Sequence, residues 1–207
     1  CVMLTLHRGN IDQVIPLAHR LRGLADRFTF SRLTQVGRGA ALELPTRREY
    51  VDFLKRYIAA SRSNPILGFK DNLFSIVRHH FGRRPLRGCT GFGCGAAFNF
   101  VAILPDGEVH ACRKFPSPIG DLRRATLAEI YDSPQARRYR RGCRECRGCP
   151  IRNSCGGCPG VVHGQGRRAL EDRDPHCFIE ERDTHLPLSG CRRRPLGVDR
   201  FIPRSLT

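Results

Sequence analysis

The sequence is short of several things, and each shortage excludes a class of protein. It has no long apolar run: the longest, Ala96 to Leu104, is broken by Asn99, so no segment reads as a membrane span. Its first residues, Cys1-Val-Met-Leu-Thr-Leu-His-Arg, lack the basic flank, long apolar centre and small-residue cleavage site of a secretory signal. Lysine is scarce, at Lys55, Lys70 and Lys114 only, so arginine supplies nearly all the cations behind the net charge of +17. No internal repeat is visible. The expectation is a soluble, cytoplasmic protein with no membrane partner. In that reducing compartment, clustered cysteines favour metal over disulfide.

What the sequence does have is cysteine, 11 in 207 residues. Most lie between Cys89 and Cys177: Cys89, Cys94, Cys112, Cys143, Cys146, Cys149, Cys155, Cys158 and Cys177. The densest part, Cys143-x2-Cys146-x2-Cys149-x5-Cys155-x2-Cys158, is too crowded for ordinary core cysteines. Arginines surround it, among them Arg137, Arg138, Arg140, Arg141, Arg144, Arg147 and Arg152. A basic excess of this kind suits a polyanion such as nucleic acid, or a bound anionic group with a solvated face.

The rest of the chain reads in two textures. Residues 2–6 form a short apolar run that predicts a strand. Asn10 resembles an N-cap for a helix with apolar positions Ile11, Val14, Ile15, Leu17, Ala18 and Leu21, in which Pro16 predicts a kink or a later start. Arg27 to Leu33 alternates like a second strand, and a glycine-bearing loop at residues 37–39 follows. Thr46-x-x-Glu49 is a capping box ahead of a helix burying Tyr50, Val51, Phe53, Leu54, Tyr57 and Ile58. Residues 71–81 suggest a further helix. This order predicts a β/α repeat, too short to close a barrel or a doubly wound sheet alone. From Ala97 the pattern changes: AFNFVAIL, Pro105-Asp106-Gly107 and EVHAC predict a β-hairpin. Thr126-x-x-Glu129, then Ser133-Pro134, predict two short helices, the second ending at Gly142.

Read from spacing alone, the cysteines leave several options. An odd count and no secretory signal weigh against a disulfide framework. Cys146-x2-Cys149 and Cys155-x2-Cys158 could form one tetrahedral zinc site, at the price of leaving Cys89, Cys94, Cys112 and Cys177 without a role. A ferredoxin motif begins at Cys143 and fails at the fourth spacing, because Pro150 follows the third cysteine. His110, His163 and His176 lie close by and could serve a zinc or mixed site, though they read more simply as polar loop residues, and Asp106 as a turn residue.

One pattern takes in the whole stretch. Cys94, Gly107, Cys112, then Cys146-x2-Cys149-x5-Cys155-x2-Cys158, then Cys177, resembles the SPASM domain found at the C-terminal end of many radical S-adenosylmethionine (SAM) enzymes. The family pattern is CX9–15GX4C, gap, CX2CX5CX3C, gap, C, and this chain departs from it only in the two residues between Cys155 and Cys158. The resemblance implies an α/β chain: the last β/α units of a truncated radical SAM partial barrel over residues 1–80 and a linker over 81–88. A small cysteine-rich α+β SPASM domain with a β-hairpin would follow over 89–180, and then a basic tail over 181–207.

It further implies two auxiliary [4Fe–4S] clusters, one on Cys89, Cys94, Cys112 and Cys158, the other on Cys146, Cys149, Cys155 and Cys177. Cys143 is an open alternative ligand, while Cys1 and Cys191 are left over. The CxxxCxxC motif that binds the SAM-cleaving cluster occurs nowhere here, which leads us to expect a C-terminal fragment that is inactive alone. SAM and a third cluster would belong to the parent enzyme. The implied substrate is a ribosomally made precursor peptide, with an electron donor or acceptor protein as partner. Arg113 stands where sulfatase-maturing relatives carry a basic aspartate, which favours peptide maturation. The run from Cys112 to Gly120 is similar to that of maturases acting on selenocysteine- or cysteine-containing precursors, the thio(seleno)oxazole type. The readings from other classes are a zinc-dependent, arginine-rich nucleic-acid-binding module and a structural iron–sulfur scaffold.

Overall fold

The computed structural model describes residues 1–82 and 93–180. Strands β1 (Val2–Leu6) and β2 (Phe28–Arg32) pair in parallel, with Leu4 opposite Phe30. Parallel neighbours need a crossover, and helix α1 (Val14–Arg20) lies in it. Helix α2 (Arg47–Ala60) follows β2, after which the chain returns to form a parallel bridge between Leu67 and Phe28. Helix α3 (Phe74–His80) comes next. Residues 1–80 are therefore a β/α repeat.

The Thr46 capping box holds the start of α2: Glu49 N–H donates to Thr46 Oγ1 at 3.2 Å, and Thr46 N–H to Glu49 Oε2 at 2.7 Å. From there Tyr50, Phe53, Leu54 and Tyr57 recur at helical spacing and are buried against the sheet. The Phe30 ring meets Phe53 edge-on at 5.0 Å, Tyr57 at 5.1 Å and Phe74 at 5.8 Å. Each such pair is worth about 0.5–1.5 kcal/mol beyond its buried area. Ile151, Cys155 and Phe178 join this core from the far end of the chain, so the two textures of the sequence share one apolar centre.

Two expectations are corrected here. The helix assigned to an Asn10 cap begins at Val14, behind a 3-10 turn over Arg8–Gln13. Asn10 pins that turn instead, its Oδ1 accepting from His7 N–H at 2.9 Å and its Nδ2 donating to Thr5 O at 3.0 Å. The later start leaves Pro16 in the first helical turn, where a missing N–H costs nothing. The helix expected over residues 71–81 is shorter, because Asp71 turns the chain by accepting from Leu73 N–H at 2.9 Å.

The second texture folds around a small antiparallel sheet of β3 (Ala102–Ile103), β4 (Glu108–His110) and β5 (Pro118–Asp121). Asp106 accepts from Glu108 N–H at 3.1 Å in the β3–β4 turn, and Gly107 supplies its φ of +89°. The strand expected from Ala97 is cut to two residues, since Phe98 and Asn99 N–H both turn back to Gly95 O. Strand β5 escaped the sequence reading: a proline and a glycine in four residues mask its alternation. Helices α4 (Leu127–Tyr131) and α5 (Pro134–Arg141) start at Thr126 and Ser133, as their caps predict, and Gly142 at φ +66° ends the second. Val109, Ala111, Phe115, Ile119, Ile130 and Ala136 form the core here. Helix α6 (Pro159–Gly164) follows the dense cysteines.

Phe53 is fully buried among aromatic partners. Phe53→Ala should destabilise the protein by about 3–5 kcal/mol, read by urea unfolding. A loss under about 1 kcal/mol would contradict this packing.

Candidate metal centres

Among the described residues the cysteines separate into two groups and a remainder. The first is Cys94, Cys112 and Cys158. Cys94 precedes the small sheet, Cys112 follows β4 and Cys158 stands at the start of α6. They are close enough that Cys158 acts electrostatically on both of the others. The second is Cys146, Cys149, Cys155 and Cys177, which line a single cavity whose far wall includes Leu73 and Ile76 of the β/α half. Cys89 and Cys191 lie outside the described residues, and Cys1 is exposed.

Local geometry prepares these sulfurs as acceptors. The backbone N–H two residues on bonds to the sulfur in four cases: Ala96 to Cys94, Lys114 to Cys112, Gly157 to Cys155 and Ile179 to Cys177. The Lys114 bond measures 3.5 Å. Such bonds favour the thiolate. Burial, aided by neighbouring cysteines, works the other way and pushes the Cys94 and Cys146 thiols up to about 12. Burial also raises Cys112, Cys155 and Cys177. Thiols that are buried, mutually repelling once ionised, and aligned as acceptors are relieved by a cation among them, with loss of their protons on binding.

Thiolate sets of this kind suit zinc or iron–sulfur clusters. Among the described residues no three His, Cys, Asp or Glu side chains converge on a single-ion site. In a four-iron cluster each thiolate binds a different iron, so its donors need not share one metal. The donor chemistry fits that group.

The β/α half holds both groups in place. Ser75 Oγ donates to Ser154 O at 2.7 Å and Asn72 Nδ2 to Gly157 O at 2.8 Å, fixing the loop that carries Cys155. Gly157 has φ +62°, and a Cβ there would lie 2.7 Å from that of Asp174, so the turn admits no side chain. Beside the first group, Lys114 Nζ reaches back to Ser31 Oγ at 2.6 Å and Arg32 O at 3.1 Å.

Cys143 behaves differently. Its Sγ shares its proton between Glu171 O at 3.1 Å and Asp172 O at 3.0 Å, and it neighbours Cys146 without lining the cavity. Of the three histidines expected in loops, His176 sits in a turn, while the other two lie in regular elements. His110 lies in β4 and accepts from Ser117 N–H at 2.9 Å, and His163 lies in α6 with its ring 5.4 Å from that of Phe115. His176 is buried, its Nε2 2.7 Å from Pro45 O, and burial followed by nearby Arg32 lowers its pKa. Of the arginines, Arg138 and Arg144 pair with Glu171 at 3.7 and 2.9 Å, and Arg137, Arg141 and Arg147 are exposed.

The residues that sequence reasoning missed are Arg32, Asp71 and Asp174. Arg32 is 1% exposed, with a bidentate pair to Asp174 at 2.8 and 2.8 Å and a bond to Asp71 at 2.8 Å. Burial opposes its charge, and the two carboxylates outweigh that, raising its pKa. The signal was present in the alternation of β2: Phe28, Phe30 and Arg32 share one face.

This fold and donor set correspond to a known class. Residues 94–159 match the SPASM family, described as an iron–sulfur cluster-binding domain. The chain is similar to the antilisterial bacteriocin subtilosin biosynthesis protein AlbA of Bacillus subtilis (strain 168), at 26% identity over 173 residues. That alignment takes in 76% of this chain and 35% of AlbA. Among solved structures, native anSMEcpe with bound AdoMet shares the fold at a TM-score of 0.55 and 14% identity, covering 87% of this chain and 52% of that one. Native anSMEcpe with bound AdoMet and Cp18Cys peptide gives 0.50 and 16%, over 87% and 53%. The chain thus spans about a third of its curated relative and about half of the solved chains. No described helix is long and apolar enough to cross a membrane.

Because the Cys143 thiol donates to two carbonyls, Cys143→Ser should keep those bonds and leave the iron content of the reconstituted protein unchanged. Loss of iron in that variant would return Cys143 to the ligand set.

Proposed function

We propose that residues 89–180 are the auxiliary-cluster domain of a radical SAM enzyme that modifies a ribosomally made peptide. In this reading residues 1–80 are the last β/α units of the enzyme's partial barrel, joined through a linker over 81–88, and 181–207 form a basic tail. One [4Fe–4S] cluster is held by Cys89, Cys94, Cys112 and Cys158, the other by Cys146, Cys149, Cys155 and Cys177. The observation that carries the reading is the lining of one cavity by Cys146, Cys149, Cys155 and Cys177, with Cys94, Cys112 and Cys158 gathered apart from it. Its wider support is the SPASM match and the likeness to AlbA, whose name records bacteriocin biosynthesis.

When bound, such clusters supply one-electron uptake and release. The chain's own contribution is to hold, shield and bias them. Two ligand sets interleaved in sequence staple distant segments of a domain whose own apolar core is small. Full thiolate ligation leaves no iron open to substrate, so electron relay is favoured over substrate binding at the metal, and the peptide is seated by the surrounding protein. An electron donor or acceptor protein is the implied partner. SAM and its cluster belong to a CxxxCxxC motif that these 207 residues do not contain, so by themselves they do not cleave it. The run from Cys112 to Gly120 makes a cysteine- or selenocysteine-containing precursor the first substrate to try.

Anaerobic reconstitution with iron and sulfide tests the reading. The chain should take up about eight irons, four per cluster. Cys158→Ala and Cys177→Ala should each retain about half, with different electron paramagnetic resonance signals. Stoichiometric zinc without sulfide, together with salt-dependent nucleic-acid binding that zinc removal abolishes, would replace it with the nucleic-acid module.

A further inference from the structure

Among the described residues, the buried carboxylate Asp174 contacts the first cysteine group and lines the cavity of the second. Its Oδ2 accepts from the backbone N–H of Cys158, in the first group, at 2.8 Å. It also lines the cavity of the second group, together with Cys155 and Cys177. Oδ1 accepts from His176 N–H at 3.0 Å, which shapes the turn delivering Cys177. Arg32 holds the carboxylate by both oxygens, and Asp71 holds Arg32 from the other side. His176 Nδ1 lies 3.2 Å from Arg32 Nη1 while Nε2 faces Pro45 O, an arrangement met by a neutral ring that donates through Nε2 and accepts through Nδ1. Asp174 thus places a carboxylate, out of water, beside both groups.

We propose that Asp174, clamped by Arg32, is a positioning residue shared by the two cluster sites, setting the reduction potentials of both together. The proposal rests on reading the two cysteine groups as cluster ligands. Charge and hydrogen bonding near the sulfurs are among the levers that set such potentials. A carboxylate in a dry site acts more strongly than one in water. Because Asp174 fixes the Cys158 amide and faces Cys155 and Cys177, one substitution moves both clusters. A purely structural staple would change stability or iron content and leave the potentials alone.

The test is Asp174→Asn in the anaerobically reconstituted chain, followed by redox titration of each cluster by electron paramagnetic resonance. Asparagine keeps the size and an oxygen for the Cys158 amide while removing the charge. Full iron and sulfide are expected, with both reduction equilibria shifted at least about tenfold toward the reduced state, an upward move of 59 mV or more for one electron. Asp12→Asn, exposed and paired with Arg56 on the surface, should shift neither. A shift in one cluster alone, or in neither, overturns the proposal. If the asparagine protein does not fold, Arg32→Lys, which loses the bidentate fork, is read the same way: both potentials move or the proposal falls. Wild-type protein that takes up no iron and sulfide overturns the cluster reading, and this proposal with it. Loaded wild-type with unmoved variants overturns this proposal alone.

Discussion

The structure depends on a buried ion pair between Arg32 in the β/α half and Asp174 in the cysteine-rich half. Both side chains are 1% exposed, so each has lost its hydration. In a buried pair the desolvation cost can exceed the Coulombic gain, which makes such a pair weak evidence for stability in itself. Removing one partner is another matter, costing about 3–5 kcal/mol by stranding a charge. Here every charge is answered: Arg32 by two carboxylates, and Asp174 also by two backbone amides. The pair works as a register pin, setting how the segment carrying Asp174, His176 and Cys177 meets the end of β2.

That pin explains why the two halves are not independent. Leu73 and Ile76 belong to the β/α half and wall the cavity of the second cysteine group. Lys114, two residues after Cys112, reaches Ser31 and Arg32 O on β2. The cysteine-rich half has a small apolar core of mostly small side chains, and part of its chain packs into the core of the other half. Its loops are ordered by glycine turns, backbone bonds to sulfur and the partner half. Eight thiolates in two interleaved sets would add the cross-links that apolar burial does not supply.

Much of this was legible in the sequence, for reasons specific to each part. Capping boxes at Thr46 and Thr126 are local chemistry and formed as read. The cysteine spacings are long-range in sequence, and the resemblance to the SPASM pattern was read from them. The weaker predictions concerned elements whose extent is decided by tertiary context. The long strand expected from Ala97 gave way to a turn on Gly95 O, and β5 lacks any alternation to read. Asn10 has the side chain of a cap, and nearby Thr5 O and His7 N–H used it otherwise. His110 and His163 were read as loop groups and lie in β4 and α6, while His176 sits in a turn whose burial nothing local reveals. Arg32 is the instructive omission, a cation on the apolar face of a strand whose partner lies 142 residues away.

The central claim is that this chain builds two separate iron–sulfur sites rather than one zinc knuckle. Iron-edge anomalous scattering from crystals of the anaerobically reconstituted protein tests it most directly. The account predicts two iron peaks, one among Cys94, Cys112 and Cys158, the other in the cavity of Cys146, Cys149, Cys155 and Cys177. A single peak at the zinc edge between the Cys146–Cys149 and Cys155–Cys158 pairs, with no iron signal, would contradict it.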